Sequence, residues 1–135
     1  MQAWHLVYFG RENTLFEDIP EAWVNGPVYR TVYDTYKHIG IYDQFTLVNV
    51  DSTEDRLSDD ITNLKVTLAL SNNQNDFIES ILHHYGTMSH DRLVFLTHSQ
   101  TPWNNARVGL NPFEYTDQQI SLDDMFDYYS KLVKK

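Results

Sequence analysis

The sequence contains no cysteine, which excludes disulfide bonds, thiolate metal sites and cysteine nucleophiles. Basic residues are also scarce: ten Lys and Arg face nineteen Asp and Glu, giving a net charge of −9. Because phosphate binding needs a basic face, this balance disfavours a general nucleic-acid role. No apolar run approaches the roughly 18 residues of a membrane span, and the segment Met1 to Gly10 lacks the features of a signal peptide. We therefore expect a cytoplasmic protein that binds neither nucleic acid nor a membrane.

Catalytic motifs are absent as well. The five glycines all stand at plausible turns, and none forms a phosphate-binding or dinucleotide-binding loop. There is no Gly-x-Ser-x-Gly nucleophile elbow and no His-Glu-x-x-His zinc helix. These absences favour a protein that is not an enzyme and that holds no cofactor.

One cluster leaves an enzyme hypothesis open, because histidine and aspartate can bind a metal ion that activates water. A metal-dependent hydrolase would use the residues His83, His84, His90, Asp91 and His98. The favoured alternative is that these histidines lie near helix ends, where they interact well with the helix dipole. On that interpretation the chain has no metal site.

The chain is rich in aromatic residues, with nine Tyr, seven Phe and three Trp among its 135 residues. Hydrophobic residues make up 41% of it, so a folded core is expected and disorder is not. The length predicts one domain over residues 1–135. An acidic surface suits a basic partner, since complementary charge steers encounter, although it can also serve only solubility.

Helix signals predict a mainly α fold, a compact bundle of five to six short helices with a small β-hairpin or strand pair. The first helix has Trp4, Val7 and Tyr8 on one face and stops at Gly10. A second begins with Pro27 at its first position and ends at Gly40. Serine caps predict three more at Ser71, Ser89 and Ser121, and Thr101-Pro102 opens a short one.

Strand signals are weaker. Residues 21–24 fit a brief strand, and the apolar runs 45–50 and 65–70 could pair as a hairpin. Between those runs, residues 51–63 are strongly acidic and form the most exposed loop that we predict. One interpretation is that this loop is only a solvated surface. The functional interpretation is that it contacts a basic partner.

Partner contact is predicted for two sets of residues. Tyr29, Tyr33 and Tyr36 lie at helical spacing and form an aromatic stripe wider than one buried face needs, and interfaces are rich in tyrosine. From these sets we select Tyr29 and Tyr33, together with the loop acids Asp55, Asp59 and Asp60. A structural role in the turn and the helix starts is expected for Trp23, Gly26, Pro27 and Trp103.

Two stretches of the sequence resemble the Panacea domain family, an antitoxin family that includes the proteolysis-adaptor antitoxin SocA. The first stretch comprises Ala3-Trp4-His5-Leu6, Gly10-Arg11, Leu15-Phe16 and Glu21-Ala22-Trp23-Val24-Asn25-Gly26-Pro27-Val28. The second comprises Tyr85-Gly86, Leu93, Leu96-Thr97-His98, Pro102-Trp103, Ala106-Arg107 and Ile120. Each piece alone is weak, but their order is fairly specific.

The resemblance implies an antitoxin of a type II toxin–antitoxin system that neutralises a cognate protein toxin by direct binding. An alternative within the family is an adaptor that delivers the toxin to a protease, and some members are phage-associated. Members usually carry a further N-terminal helix, so the resemblance implies either a core with one helix fewer or a truncated chain. The middle of the chain departs from the family pattern, and the choice of toxin does not carry over.

Overall fold

The computed structural model describes residues 1–38 and 70–134. These residues form six helices and one two-stranded antiparallel sheet, which confirms the predicted mainly α fold. In chain order the elements are α1 (Gln2–Phe9), β1 (Glu21–Trp23), β2 (Gly26–Val28), α2 (Arg30–Tyr36), α3 (Asn72–Tyr85), α4 (His90–His98), α5 (Thr101–Ala106) and α6 (Leu122–Val133). No helix among them is long and apolar enough to span a membrane.

The core lies where α1 packs on α6 and on the segment that precedes it. Leu6 and Ala22 are fully buried, and Ile120 is 2% exposed. Five partly buried side chains pack against this centre: Trp103, Ala106, Leu122, Phe126 and Tyr129. The core therefore joins the first helix, the sheet and the last helix of the chain.

Helix α1 buries polar side chains that the sequence pattern did not predict. The Gln2 side-chain oxygen Oε1 accepts hydrogen bonds from the Leu15 and Phe16 amides, both at 3.0 Å. His5 is 2% exposed, and its Nδ1 lies 3.0 Å from the Asn13 carbonyl oxygen. Of the residues predicted to share one face of α1, Tyr8 is 62% exposed. Hydrogen bonds to the following loop offset the burial of the Gln2 side chain and of His5 Nδ1.

The sheet lies at residues 21–28. Its register pairs Glu21 with Val28, Ala22 with Pro27 and Trp23 with Gly26. The predicted brief strand at 21–24 is thus confirmed, whereas the predicted helix start at Pro27 was wrong. Pro27 belongs to β2, and α2 begins three residues later. The runs 45–50 and 65–69 lie outside the described residues.

Proline is accommodated in β2 because this strand is the edge of the sheet among the described residues. On its other side, β1 contacts the segment before α6: the Ala22 amide donates to the Gln118 carbonyl at 2.8 Å, and Glu21 forms a bridge with Gln119. A residue without an N–H can occupy an edge strand without breaking a ladder. Pro27 therefore lies in the second strand of the hairpin and does not begin a helix.

Two side chains from the α5 region hold the hairpin, and we call Arg107 and Trp103 the hairpin clamp. Arg107 is 7% exposed, and its Nη1 donates to the Ala22 carbonyl oxygen at 2.7 Å. The Trp103 indole Nε1 donates to the next carbonyl, that of Trp23, at 3.1 Å. The Arg107 guanidinium also donates to the Glu114 carbonyl at 2.7 Å and lies 5.1 Å from the Trp103 ring centroid. The clamp therefore fixes β1, α5 and the following loop to one another.

Helix caps agree well with the sequence. Ser71, Ser89 and Ser121 are N-caps whose hydroxyls accept backbone N–H bonds. At Ser71 the Gln74 side chain completes a reciprocal capping box. At α5 the predicted cap was displaced by one residue, because Gln100 is the N-cap and Thr101 already belongs to the helix.

Replacing Arg107 by lysine tests the clamp. A single ammonium cannot reach the Ala22 and Glu114 carbonyls in the fork geometry of a guanidinium. We expect R107K to lower the free energy of unfolding by roughly 3 kcal/mol, measured by chemical denaturation. The matched control is R92K, at an exposed arginine on α4. If R107K and R92K have the same stability within about 0.5 kcal/mol, the clamp does not hold the fold.

A pH dependence follows from Tyr129 on α6, whose hydroxyl donates to the Gln100 side-chain oxygen at 2.8 Å. Burial, followed by the neighbouring Tyr85, raises the pKa of Tyr129 to about 12. Because the folded state holds this proton more tightly, its contribution to stability is complete below pH 10 and is lost as the pH rises toward 12. The free energy of unfolding should fall by about 1.4 kcal/mol per pH unit in that window on account of this residue.

The variant Tyr129→Phe should remove that part of the alkaline slope, read from denaturation curves between pH 9 and about 12. Tyr8→Phe, at an exposed tyrosine, should leave the slope as it is. An unchanged slope in Tyr129→Phe would show that the phenol is not the titrating group.

Candidate partner-binding surface

An aromatic cluster covers the hairpin on the side of α2. The Trp23 ring lies 4.7 Å from the Tyr33 ring and 5.7 Å from the Tyr115 ring, both edge to face. The Arg30 guanidinium stands 4.8 Å from the Trp23 ring centroid. Trp23, Arg30, Tyr33 and Tyr115, which we call the aromatic surface, come from β1, from α2 and from the loop after α5.

Hydrogen bonds fix the centre of the aromatic surface. Both carboxylate oxygens of Glu21 accept from Arg30, at 3.2 and 2.7 Å, and one of them also accepts from the Trp23 indole at 2.6 Å. Arg30 donates in addition to the Tyr115 hydroxyl at 2.7 Å. These bonds, with the one to Tyr115 first, raise the pKa of Arg30. These bonds therefore connect β1, α2 and the loop after α5 around a guanidinium that lies among the rings.

The rim of this surface is open to solvent. Tyr33 is 42% exposed and Tyr115 is 59% exposed, and no residue of α2 is buried. Val32 adds an exposed aliphatic side chain on the same helix. Tyrosine, tryptophan and arginine are the residue types that carry most binding energy at protein interfaces. Their combination here can bind another protein without any chemical step.

The two tyrosines predicted for partner contact occupy different environments. Tyr33 belongs to the aromatic surface, whereas Tyr29 is half-buried and packs edge to face on Phe16 at 5.4 Å. Burial, and then the nearby Asp18, raise the pKa of Tyr29 to about 12. Tyr29 thus makes a separate contact with Phe16 and is not part of the aromatic surface. The predicted acidic contacts Asp55, Asp59 and Asp60 lie outside the described residues.

The residues expected to be structural lie around the hairpin. Gly26 is buried with φ +120°, and a Cβ there would lie 3.3 Å from the Thr97 hydroxyl. This conformation and this close approach require glycine. Trp103 belongs to the hairpin clamp, Trp23 is the centre of the aromatic surface, and Pro27 is an exposed residue of β2.

The histidine cluster does not converge. His83 and His84 lie in the last turn of α3, and His90 begins α4. Within residues 1–38 and 70–134, no three His, Asp or Glu side chains are placed to hold one metal ion. His98 stacks on Trp103 at 4.0 Å, where burial and then the Arg107 charge lower its pKa. A neutral imidazole at that point completes the packing of the clamp.

Sequence reasoning missed Glu21, Arg30 and Tyr115. Tyr115 lies 85 residues from Arg30 along the chain, and no local pattern links them. Arg30 is adjacent in sequence to the predicted tyrosines, but the sequence around a single arginine does not indicate which side chains it contacts. The nearest signal was the predicted strand at residues 21–24, which placed Glu21 and Trp23 two residues apart on one face.

Comparison with known proteins gives one family. The family model described as "Antitoxin SocA-like, Panacea domain" matches residues 1–104, which is 104 of the 135 residues. The matched region contains α1 to α4, the hairpin, and Trp103 of the clamp, while Arg107 and Tyr115 lie beyond it. Neither the comparison with curated proteins nor that with solved structures gave a match.

The start of α2 lacks a local side-chain cap. Asp18 supplies one from a distance: its carboxylate accepts from the Thr31 hydroxyl at 2.7 Å and from the Thr31 amide at 3.3 Å. The hydroxyl bond is the main cause that lowers the pKa of Asp18. We expect Asp18→Ala to destabilise the first turn of α2.

The measurement is hydrogen exchange of the amides of residues 31–36, which should quicken in Asp18→Ala and much less in Asp18→Asn, whose amide oxygen still accepts. Asp117→Ala removes an exposed carboxylate elsewhere and serves as the control. Equal exchange in Asp18→Ala and Asp117→Ala would refute this capping role.

Proposed function

Because this chain belongs to the SocA-like Panacea domain antitoxin family, we propose that it neutralises a protein toxin by binding it directly through the aromatic surface. The chain would then be the antitoxin of a type II toxin–antitoxin system, acting in the cytoplasm where its toxin acts. The observation that carries the proposal is the position of exposed Tyr33 and Tyr115 around a fixed Arg30.

The hydrogen bonds within this surface support the proposal. A side chain that is ordered only on binding costs roughly 0.5–1.5 kcal/mol of affinity. Here Glu21 already holds Arg30, and Arg30 already holds Tyr115, before any partner arrives. The aromatic surface can therefore bind with little further ordering of its centre.

Charge supports a basic partner. The chain carries a net charge of −9, and such a field speeds association with a positively charged protein. The acidic residues Asp55, Asp59 and Asp60 follow α2 in the sequence, and we propose them as a second, long-range contribution to toxin encounter. On this view the aromatic side chains provide most of the affinity for the toxin, and the acidic residues raise the rate of association.

The test is co-expression with the toxin encoded beside the gene of this chain. The chain should restore growth, and the double variant Tyr33→Ala/Tyr115→Ala should fail to do so while remaining folded. Loss of two interface tyrosines should weaken toxin binding by about 100-fold, measured with purified proteins by calorimetry. Phe95→Ala, which removes a ring that is 68% exposed on α4, is the matched control and should still rescue.

Two outcomes would overturn the proposal. Full rescue by the double variant would remove the aromatic surface from the interface. Rescue accompanied by a shortened half-life of the toxin would indicate delivery to a protease, because neutralisation by binding leaves the amount of toxin unchanged.

A further inference from the structure

Helices α1 and α3 meet at two aromatic contacts. At one, the Phe77 ring packs edge to face on the His5 and Phe9 rings, at 5.5 and 5.7 Å. At the other, the Trp4 indole donates to the Tyr85 hydroxyl at 2.9 Å. Phe77 and Tyr85 are eight residues apart, which is roughly 12 Å along a helix. The two helices are thus joined at separate points and not along a continuous seam.

A groove of about 580 Å³ opens along these contacts. Its walls are apolar and aromatic, from Trp4, Tyr8, Phe9, Phe77, Ile81 and Tyr85. Its polar lining comes from α3, with Asn73, Asp76, Ser80 and His84. The volume lies within the range of protein sites that bury a ligand, roughly 300–1,000 Å³. The wall is partly open to solvent, since Tyr8 is 62% exposed.

The charge of the two helices selects the occupant. Neither Gln2–Phe9 nor Asn72–Tyr85 contains a lysine or an arginine, whereas α3 carries the carboxylates of Asp76 and Glu79. Asp76 itself lines the groove. A partner with apolar side chains for the walls and a positive charge for Asp76 is complementary to this groove. The net charge of −9 of the chain also favours a positively charged partner.

We propose that this groove binds a short amphipathic helix of a basic protein partner. Apolar side chains at positions i and i+8, two turns apart, would lie against Trp4 and Phe77, and a lysine or arginine one turn from the second of them would pair with Asp76. A contact of roughly two helical turns matches the roughly 12 Å between the two aromatic contacts. The inference rests on the proposed function for the class of partner, and it adds a second binding surface distinct from the aromatic surface.

The experiment uses the full chain and a synthetic probe, so that it does not depend on the toxin. The probe is an 18-residue helical peptide with leucine on one face and lysine on the other. Binding is followed by the three tryptophan indole N–H signals in NMR spectra. We expect the peptide to shift the Trp4 signal and to leave those of Trp23 and Trp103 in place, because only Trp4 lines the groove. The same peptide with glutamate for lysine should bind at least tenfold more weakly.

A blocking variant sharpens the test. Ser80→Arg places a long cationic side chain in the groove and should weaken binding of the lysine peptide at least tenfold. Thr87→Arg adds the same charge at an exposed position outside the groove and should not. The inference is overturned by a Trp4 signal that does not move, by equal shifts of all three indoles, or by equal binding of the two peptides. None of these results would bear on rescue of growth through the aromatic surface.

Discussion

The hairpin depends on two adjacent carbonyl groups, those of Ala22 and Trp23, which accept hydrogen bonds from Arg107 and Trp103. Arg107 is buried with no carboxylate among its described hydrogen-bond partners; backbone carbonyls and the face of an indole surround its charge. A buried cation is costly unless its donors are satisfied, so the same bonds that secure the hairpin also make the arginine tolerable. Without Arg107 and Trp103, the two carbonyl groups lose these hydrogen bonds; without the carbonyl groups, the buried guanidinium and the indole lose their acceptors.

The aromatic surface depends on this arrangement in turn. Trp23 is held through its carbonyl by Trp103, and its indole is held by Glu21 of the same strand. Glu21 then positions Arg30 at the start of α2, and Arg30 positions Tyr115 in the loop after α5. The first and last of these hydrogen bonds, from Trp103 to Trp23 and from Arg30 to Tyr115, join residues that are 80 and 85 positions apart in the sequence. The result is a surface that is ordered before it meets a partner, as tight binding by a small domain favours.

Local rules recovered much of the helical framework. Gly10 ends α1 with φ +108°, and the serines at 71, 89 and 121 cap their helices, because caps act within four residues. The errors arose where residues outside the helix determine where it begins. Asp18 caps α2 from outside the helix, and the pairing of Pro27 with Ala22 turns an apparent helix start into a strand.

The candidate site was predicted only through Tyr33, since the contacts of Arg30 and Tyr115 span tens of residues. The measurement that tests the account most directly is hydrogen exchange of the chain alone and in complex with its toxin. Direct binding through the aromatic surface predicts slower exchange on complex formation in residues 21–36 and around Tyr115. Slower exchange confined to other parts of the chain, with residues 21–36 unchanged, would contradict it.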